Sequence, residues 1–373
     1  MSADAAALQP RDYVHLHNHT QYSLLDGLTK VPKLFDYVKS AGMEAVAQTD
    51  HGTLSGAIEF YKEGLAKGIK PIIGMEGYVA ARTINDREAG KDKVYYHLIL
   101  LAMNEKGYHN LMKLSTIANL EGVYYKPRVD HNLLEKYNEG LIILSGCIGG
   151  EVADAIRQEQ YDKAKEIASW YKSIFGDRYY IEVQDHGHPD HPHKWDEQVK
   201  VNKGLLKLAD ELEIKPVVTS DAHYLSHSDQ TAHEILLCVQ TGSFLSDEKR
   251  MSLKEFELHV TEPQDIIDRW GKFRPDAVRN TKAIADRCDL TIELGKILIP
   301  KFPVPEGETE KTYLDKLVYA GLAERYNEVS REDALNMTIE EVSASLRPDV
   351  LERAQYELRV VDGMGFNGYM LIV

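Results

Sequence analysis

Ala45-Val46-Ala47-Gln48-Thr49-Asp50-His51-Gly52 is a β-rich run ending in chemistry-capable side chains, and Gly56–Ala66, with apolar residues at spacings near three and four, follows it. This strand-then-helix unit recurs. Six other β-rich runs precede residue 224, at Tyr13–His17, Pro71–Val79, Val94–Ala102, Leu141–Ser145, Tyr179–Val183 and Pro216–Thr219. Helical patterns separate most of them, at Val31–Ser40, Gly107–Ala118, Glu151–Ile174 and Trp195–Leu212. Such alternation predicts a parallel α/β sheet or barrel whose strand C-termini gather at one mouth. With seven runs, the barrel is smaller or more distorted than the eight-stranded form.

Past about residue 225 the β-rich rhythm stops, and helical patterns run through Gln264–Trp270, Asp276–Arg287 and Tyr313–Tyr326. Between the last two lies Pro300-Lys301-Phe302-Pro303-Val304-Pro305-Glu306-Gly307. Its three prolines each fix φ and remove a backbone donor, so it reads as an extended linker. The expected architecture is α/β: a distorted seven-stranded (βα)7 barrel over residues 12–290, then a linker and a mainly helical extension over 291–373.

Of the 373 residues, 43% are hydrophobic and 28% charged, enough apolar material for a sizeable core. The formal net charge of −15 argues against a surface that coats nucleic acid, because that binding draws on Lys and Arg neutralising phosphates. Divalent cations in a cleft could supply local positive charge while the outside stays acidic. Three widely spaced cysteines, Cys147, Cys238 and Cys288, suit a reducing compartment better than a disulfide framework. With no basic start and apolar core of a signal peptide, and no apolar run of spanning length, the expected location is cytoplasmic, without a membrane role.

The strongest local signal is Val14-His15-Leu16-His17-Asn18-His19-Thr20, followed by Ser23-Leu24-Leu25-Asp26-Gly27. Alternate residues of a strand share a face, so His15, His17 and His19 can point together if the run stays extended. His17 and His19 could hold a metal, and Asp26 could return to it after the turn. Imidazole and carboxylate suit zinc, manganese or iron. Alone, a His-x-His pair is more often a strand with solvated histidines. His51, Glu76, His97, Cys147, Asp221 and His223, in or beside five further β-rich runs, favour a convergent site instead.

His17-Asn18-His19-Thr20, Thr49-Asp50-His51-Gly52, Gly74-Met75-Glu76, Tyr96-His97-Leu98, Ser145-Gly146-Cys147 and Ser220-Asp221-Ala222-His223 together resemble the polymerase and histidinol phosphatase (PHP) family. The likeness is greatest to its members at the N-terminus of bacterial replicative polymerases. Tyr124-Tyr125-Lys126-Pro127-Arg128, Gln184-Asp185-His186-Gly187 and Pro300–Pro305 share that likeness. It extends from His15 to Val373, with a less familiar stretch around Glu328–Pro348.

The resemblance implies a distorted seven-stranded barrel and a site for two or three divalent ions, zinc and/or manganese, with iron also suitable. Its ligands would be His17, His19, Asp26, His51, Glu76, His97, Cys147, Asp221 and His223, with Glu76, Asp221 and His223 carrying the catalysis. Glu76 is a natural bridging carboxylate, and Cys147 would bind as a thiolate. His97 precedes the apolar run Leu98–Ala102, so by pattern alone it reads equally well as a core histidine. The implied activity is phosphoester hydrolysis at the 3′ end of a DNA strand, a proofreading 3′–5′ exonuclease, with the remainder of the polymerase and replisome subunits as partners. The competing readings are a non-catalytic scaffold and a small-molecule phosphatase of the histidinol-phosphate type. Gly365–Val373 resembles the entrance to the polymerising region, so the expectation is a truncated chain that lacks the magnesium carboxylates and does not polymerise.

Around the site, Asp185 and His186 follow a β-rich run and are candidates for contacting substrate. Lys126 and Arg128 could meet a phosphate chain or lie on a solvated loop. Tyr124 and Tyr125 could stack on bases, although core packing is the commoner use. Asp50 could orient a ligand imidazole or cap the following helix. His186, His188, His191 and His193 could form a second metal cluster, but Pro189 and Pro192 favour an irregular loop with exposed histidines.

Overall fold

The computed structural model describes residues 8–186, 192–296, 298, 300–327 and 329–373. They form two compact units that divide between Ile292 and Glu293. The first holds eight strands: β1 (Ala45–Gln48), β2 (Lys70–Ala80), β3 (Tyr95–Ala102), β4 (Val123–Tyr124), β5 (Lys126–Val129), β6 (Leu141–Leu144), β7 (Tyr179–Gln184) and β8 (Pro216–Thr219).

The main path runs β1-β2-β3-β6-β7-β8, and the β4–β5 hairpin joins the far end of β2. Pairing is parallel at β1–β2, β6–β7 and β7–β8. Contrary to the expected parallel sheet, β3 is antiparallel to both β2 and β6. The cause is local: residues 81–94, between β2 and β3, form turns and no helix. A parallel return needs a long crossover, whereas a chain that simply turns back pairs antiparallel.

The Tyr13–His17 run is not a continuous strand. It makes isolated parallel bridges, His15 to Val46 of β1 on one side and Asn18 to Ala222 just beyond β8 on the other. Ala47 N–H donates to His15 O at 2.9 Å, and His19 N–H donates to Ala222 O at 2.7 Å. The N-terminal segment is thus the seventh stave and closes the curled sheet into a distorted barrel.

Both faces of the staves are buried, which explains why the runs read as nearly continuous apolar stretches. Ile99, Leu101, Ile142 and Leu144 join one core cluster with Ala45, Ala47 and the helix residues Ile284 and Ala285. Their neighbours Leu98, Leu100 and Ile143 face the other cluster, with Leu34, Phe35 and Val38 from helix Val31–Ser40 and Phe60 from helix Ala57–Lys67. The second unit is helical, and its small core gathers Tyr319, Ala320, Ala323, Ala334, Val342 and Leu346. Among the described residues no helix is long and apolar enough to cross a membrane.

Candidate metal centre

Strand ends and the turns after them, together with Glu76 inside β2 and His97 near the start of β3, deliver all nine candidate ligands to one place. His17 Nε2 lies 3.0 Å from Asp221 Oδ1 and 3.4 Å from Glu76 Oε1, and His19 Nε2 lies 3.2 Å from Asp221 Oδ1. Glu76 is central: Oε1 is 2.8 Å from His97 Nδ1, and Oε2 is 2.5 Å from His51 Nδ1. Cys147 Sγ adjoins His97 Nδ1 at 3.4 Å, Asp26 Oδ2 meets His51 Nε2 at 3.0 Å, and Asp26 Oδ1 stands 3.9 Å from His223 Nε2. Among the described residues three groups have ligand atoms within 4.8 Å of one another: His17, His19 and Asp221; His19, His51 and His223, which shares His19 with the first; and Glu76, His97 and Cys147.

Backbone geometry makes these approaches possible. A Cβ on Gly27 would stand 2.0 Å from Thr20 O, so only glycine permits the tight return that brings Asp26 back beside His51. Gly146 adopts φ +83, and a Cβ there would sit 2.4 Å from His97 O; this close approach sets Cys147 against His97. Asp221 itself has φ +47, a left-handed conformation rare outside glycine and the kind of strain found at functional sites.

A layer of polar partners fixes which ring nitrogens face inward. His17 Nδ1 donates to Glu182 Oε1 at 2.7 Å, since a carboxylate can only accept. Ser23 Oγ gives its proton to Asp50 Oδ1 at 2.7 Å, which leaves His19 Nδ1 as the donor to Ser23 Oγ at 2.9 Å. His223 Nδ1 donates to the Asp221 carbonyl at 2.8 Å. With Nδ1 so engaged, each of His17, His19 and His223 has Nε2 as the nitrogen it would offer to a metal in the cluster. Asp50 acts on His19 through Ser23, closer to the orienting role than to helix capping.

Glu182 extends the same frame, for it also accepts from Gly146 N at 3.1 Å and from Thr219 Oγ1 at 2.5 Å. Sequence reading missed it, though a charged residue inside the run Tyr179–Val183 was the available signal. It also missed His233, buried on helix Gln230–Thr241 with Nε2 3.5 Å from Asp26 Oδ1; nothing in its helical context marked it.

The electrostatics are those of a site short of positive charge. Burial works against charging His17, but Asp221 and Glu182 outweigh it and hold its pKa above the ordinary range. Burial also opposes a proton on His51, which Glu76 and Asp26 nonetheless bring up to about 9. Burial, with His51 and His223 beside it, pushes His19 down to about 3. Burial alone would raise Glu76 and Asp221, yet the surrounding histidines hold both carboxyls well below the usual range. Burial raises the Cys147 thiol while His97 opposes it.

These residues fit divalent cations. Glu76 Oε2, Asp221 Oδ1, Asp26 Oδ1 and His51 Nδ1 are buried and crowd one another without well-aligned hydrogen bonds. His17 Nε2 and His19 Nε2 face each other at 3.3 Å. Ligands about 2.0–2.1 Å from a tetrahedral ion stand roughly 3.3 Å apart, the spacing seen here. Bare nitrogens and carboxylate oxygens at such distances repel unless protons or cations lie between them.

The remaining expected contacts are placed differently. His15 is a core residue, with Nε2 2.9 Å from Thr261 O and Nδ1 3.2 Å from Ser220 Oγ. Asp185 is buried and accepts from Arg269 Nε at 2.7 Å. His186, which burial pushes down to about 4, meets Gln184 Oε1 at 2.8 Å and reaches the cluster only through that residue. Tyr125 is exposed and Tyr124 half-buried, while His188, His191 and His193 lie outside the residues whose side chains are described.

Lys126 lines an open cleft beside His51. Arg128, expected to meet phosphate, is instead fully buried. Its guanidinium donates to four backbone oxygens, of Gly122, Asp92, Ile84 and Asp86, at 3.1–3.2 Å. It therefore has no face left for a substrate. Arg128→Met, which strands those carbonyls, is expected to cost at least about 2 kcal/mol in urea unfolding while leaving metal uptake unchanged. Wild-type stability in the variant would contradict this anchoring role.

The description "PHP domain" matches residues 15–186. The DNA polymerase III alpha subunit of Borreliella burgdorferi is 40% identical over 97% of this chain and 30% of its own length. That of Thermus aquaticus is 41% identical over 97% of this chain and 33% of its length. The chain thus spans about a third of the curated relatives it matches. A solved two-domain protein from Bacteroides vulgatus, described as containing a predicted PHP-like metal-dependent phosphoesterase, shares 14% identity at a TM-score of 0.30, covering 58% of this chain and 55% of that one. With the family's pattern lying over the barrel that carries most of the cluster, and similarity to the polymerase subunits sustained along almost the whole sequence, this is a PHP-domain chain related to the DNA polymerase III alpha subunits.

Proposed function

We propose that the chain is a metal-dependent phosphoesterase that trims the 3′ end of a DNA strand, a proofreading 3′–5′ exonuclease module working beside the remainder of a polymerase and its replisome subunits. The observation that carries the hydrolytic reading is the inward convergence of bare imidazole nitrogens and buried carboxylate oxygens around Glu76. The relation to polymerase subunits supports the choice of DNA as substrate.

Two or three divalent cations, zinc or manganese with iron also suitable, would supply an acidified water and Lewis acidity toward the phosphate oxygens. Glu76 presents its two oxygens to two different groups of ligands, as a bridging carboxylate must. His17, His19 and Glu76 form the closed floor, whereas the His51 and His97 side chains are 16% and 24% exposed and mark the side from which a strand end approaches. Asp221 holds His17 and His19 from one direction. His223, its Nδ1 committed to the Asp221 carbonyl, keeps Nε2 for the reacting side. No side-chain nucleophile is needed.

The test is elemental analysis of the purified chain after zinc or manganese is supplied, with hydrolysis of a 5′-labelled single strand. Two or three ions per chain and a ladder shortening from the 3′ end are expected, both lost on chelation. Only trace metal would overturn the site. A metal-loaded chain that cleaves nothing would favour the scaffold reading, and cleavage of phosphomonoesters alone the histidinol-phosphate type.

A further inference from the structure

Beside the metal cluster opens a cleft of about 300 Å³, whose lining includes Tyr22, Leu24, His51, Tyr78, Lys126 and Gln240. Its groups are arranged in order. At the inner end stands His51, within 3.0 Å of Asp26 and 2.5 Å of Glu76. The Tyr78 ring lies nearly parallel to His51, with centroids 6.0 Å apart, and the Lys126 ammonium sits 5.3 Å from the centre of the same tyrosine ring. Among the described residues lining the cleft, Lys126 is the one lysine or arginine, in a chain of net charge −15.

Lys126 is held there by construction. It begins β5, directly after Tyr125, whose φ of +63 makes the turn from β4. The following residues pair with β2 at Tyr78↔Arg128, and buried Arg128 pins that end of the hairpin to four backbone oxygens. The ammonium is therefore fixed over Tyr78, one aromatic ring away from a candidate metal ligand.

Building on the phosphoesterase reading, we infer that this cleft is the subsite for the nucleoside on the strand side of the scissile phosphate, with Lys126, propped on the buried ring of Tyr78, as the contact for the next phosphate along. A small phosphomonoester carries only the phosphate that the metal cluster takes, and leaves Lys126 nothing to bind. A strand carries a second phosphate one sugar away, the separation that one intervening ring provides. The volume lies at the lower end of ligand pockets, about 300–1,000 Å³, so the cleft admits one nucleotide of a single strand and not a duplex.

The experiment compares two thymidine dinucleotides joined by a non-hydrolysable 3′-methylene phosphonate link, one with a 5′-phosphate and one without. Their binding to the manganese-loaded chain is measured by calorimetry. They differ only in the phosphate assigned to Lys126. Wild type is expected to favour the phosphorylated ligand by about ten-fold, the strength of one charge-assisted contact. In Lys126→Gln, which keeps the stem against Tyr78, and in Lys126→Ala, that ratio is expected to fall to about one, at an unchanged melting temperature. No preference in wild type, or a preference that survives in both variants, overturns the subsite. Hydrolysis of bis-p-nitrophenyl phosphate by the same preparation separates the two ideas: a Lys126-dependent preference without hydrolysis keeps the subsite and removes the phosphoesterase, and hydrolysis without the preference does the reverse.

Discussion

Glu76→Gln is expected to lower phosphodiester hydrolysis by at least ~100-fold, the upper end of what even outer partners of metal sites contribute. The change keeps the size of the side chain and removes its charge. Both Glu76 oxygens are engaged, one toward His17 and His97 and the other toward His51, so two cations would lose a shared anion and repel each other more strongly. An amide would also turn a donor toward an imidazole nitrogen in place of an acceptor. Metal content should fall with activity, while circular dichroism stays that of the folded chain, because the core is built from the apolar faces of the staves. Unchanged hydrolysis in a folded, metal-poor variant would show that the activity does not arise from this cluster.

Glu182→Ala is expected to have the largest effect on stability. Its carboxylate, fully buried, takes protons from His17, Thr219 and Gly146, and so ties together the N-terminal stave, β8, and the turn after β6. Removing one partner of such a buried pair costs about 3–5 kcal/mol, because the group left behind cannot return to water. Urea unfolding of the metal-free protein should report that loss. Glu182→Gln keeps the shape and an acceptor, and should recover much of the stability but only part of the metal affinity, with a shortfall of about ten- to 100-fold. An alanine variant as stable as wild type would mean that the pair contributes nothing net, and a glutamine variant with full affinity would mean that His17 orients itself.

The barrel and the convergence of side chains near its mouth were legible from period, whereas the full set of nine candidate ligands, His97 above all, came from the family resemblance. Staves buried on two faces read as apolar runs, and side chains just past their ends share one mouth whatever the intervening sequence. The reversal of β3 was harder to read, since its own residues resemble those of a parallel strand. The cue was a missing helix between Ala80 and Tyr95, an absence that is easy to pass over. Arg128 looked like a phosphate contact because residue type says nothing about burial, and its partners at Ile84, Asp86 and Asp92 are backbone oxygens that any sequence offers. His233 illustrates the same limit. It reaches Asp26 from a helix far along the chain, and helical spacing cannot tell a histidine that faces a metal cluster from one that faces solvent.

The seventh stave has a consequence in time. The barrel closes where residues 15–19 meet β1 and the chain beyond β8, so the first-made ligands, His17 and His19, must wait for Asp221 and His223. At translation rates of roughly 5–20 residues per second, that delay is on the order of ten to forty seconds. During synthesis the early histidines are present without the residues that face them in the folded chain. Only when Ala222 docks against His19 is the ring of candidate ligands complete. A chain stalled short of residue 221 would carry His17 and His19 without Asp221 and His223 beside them.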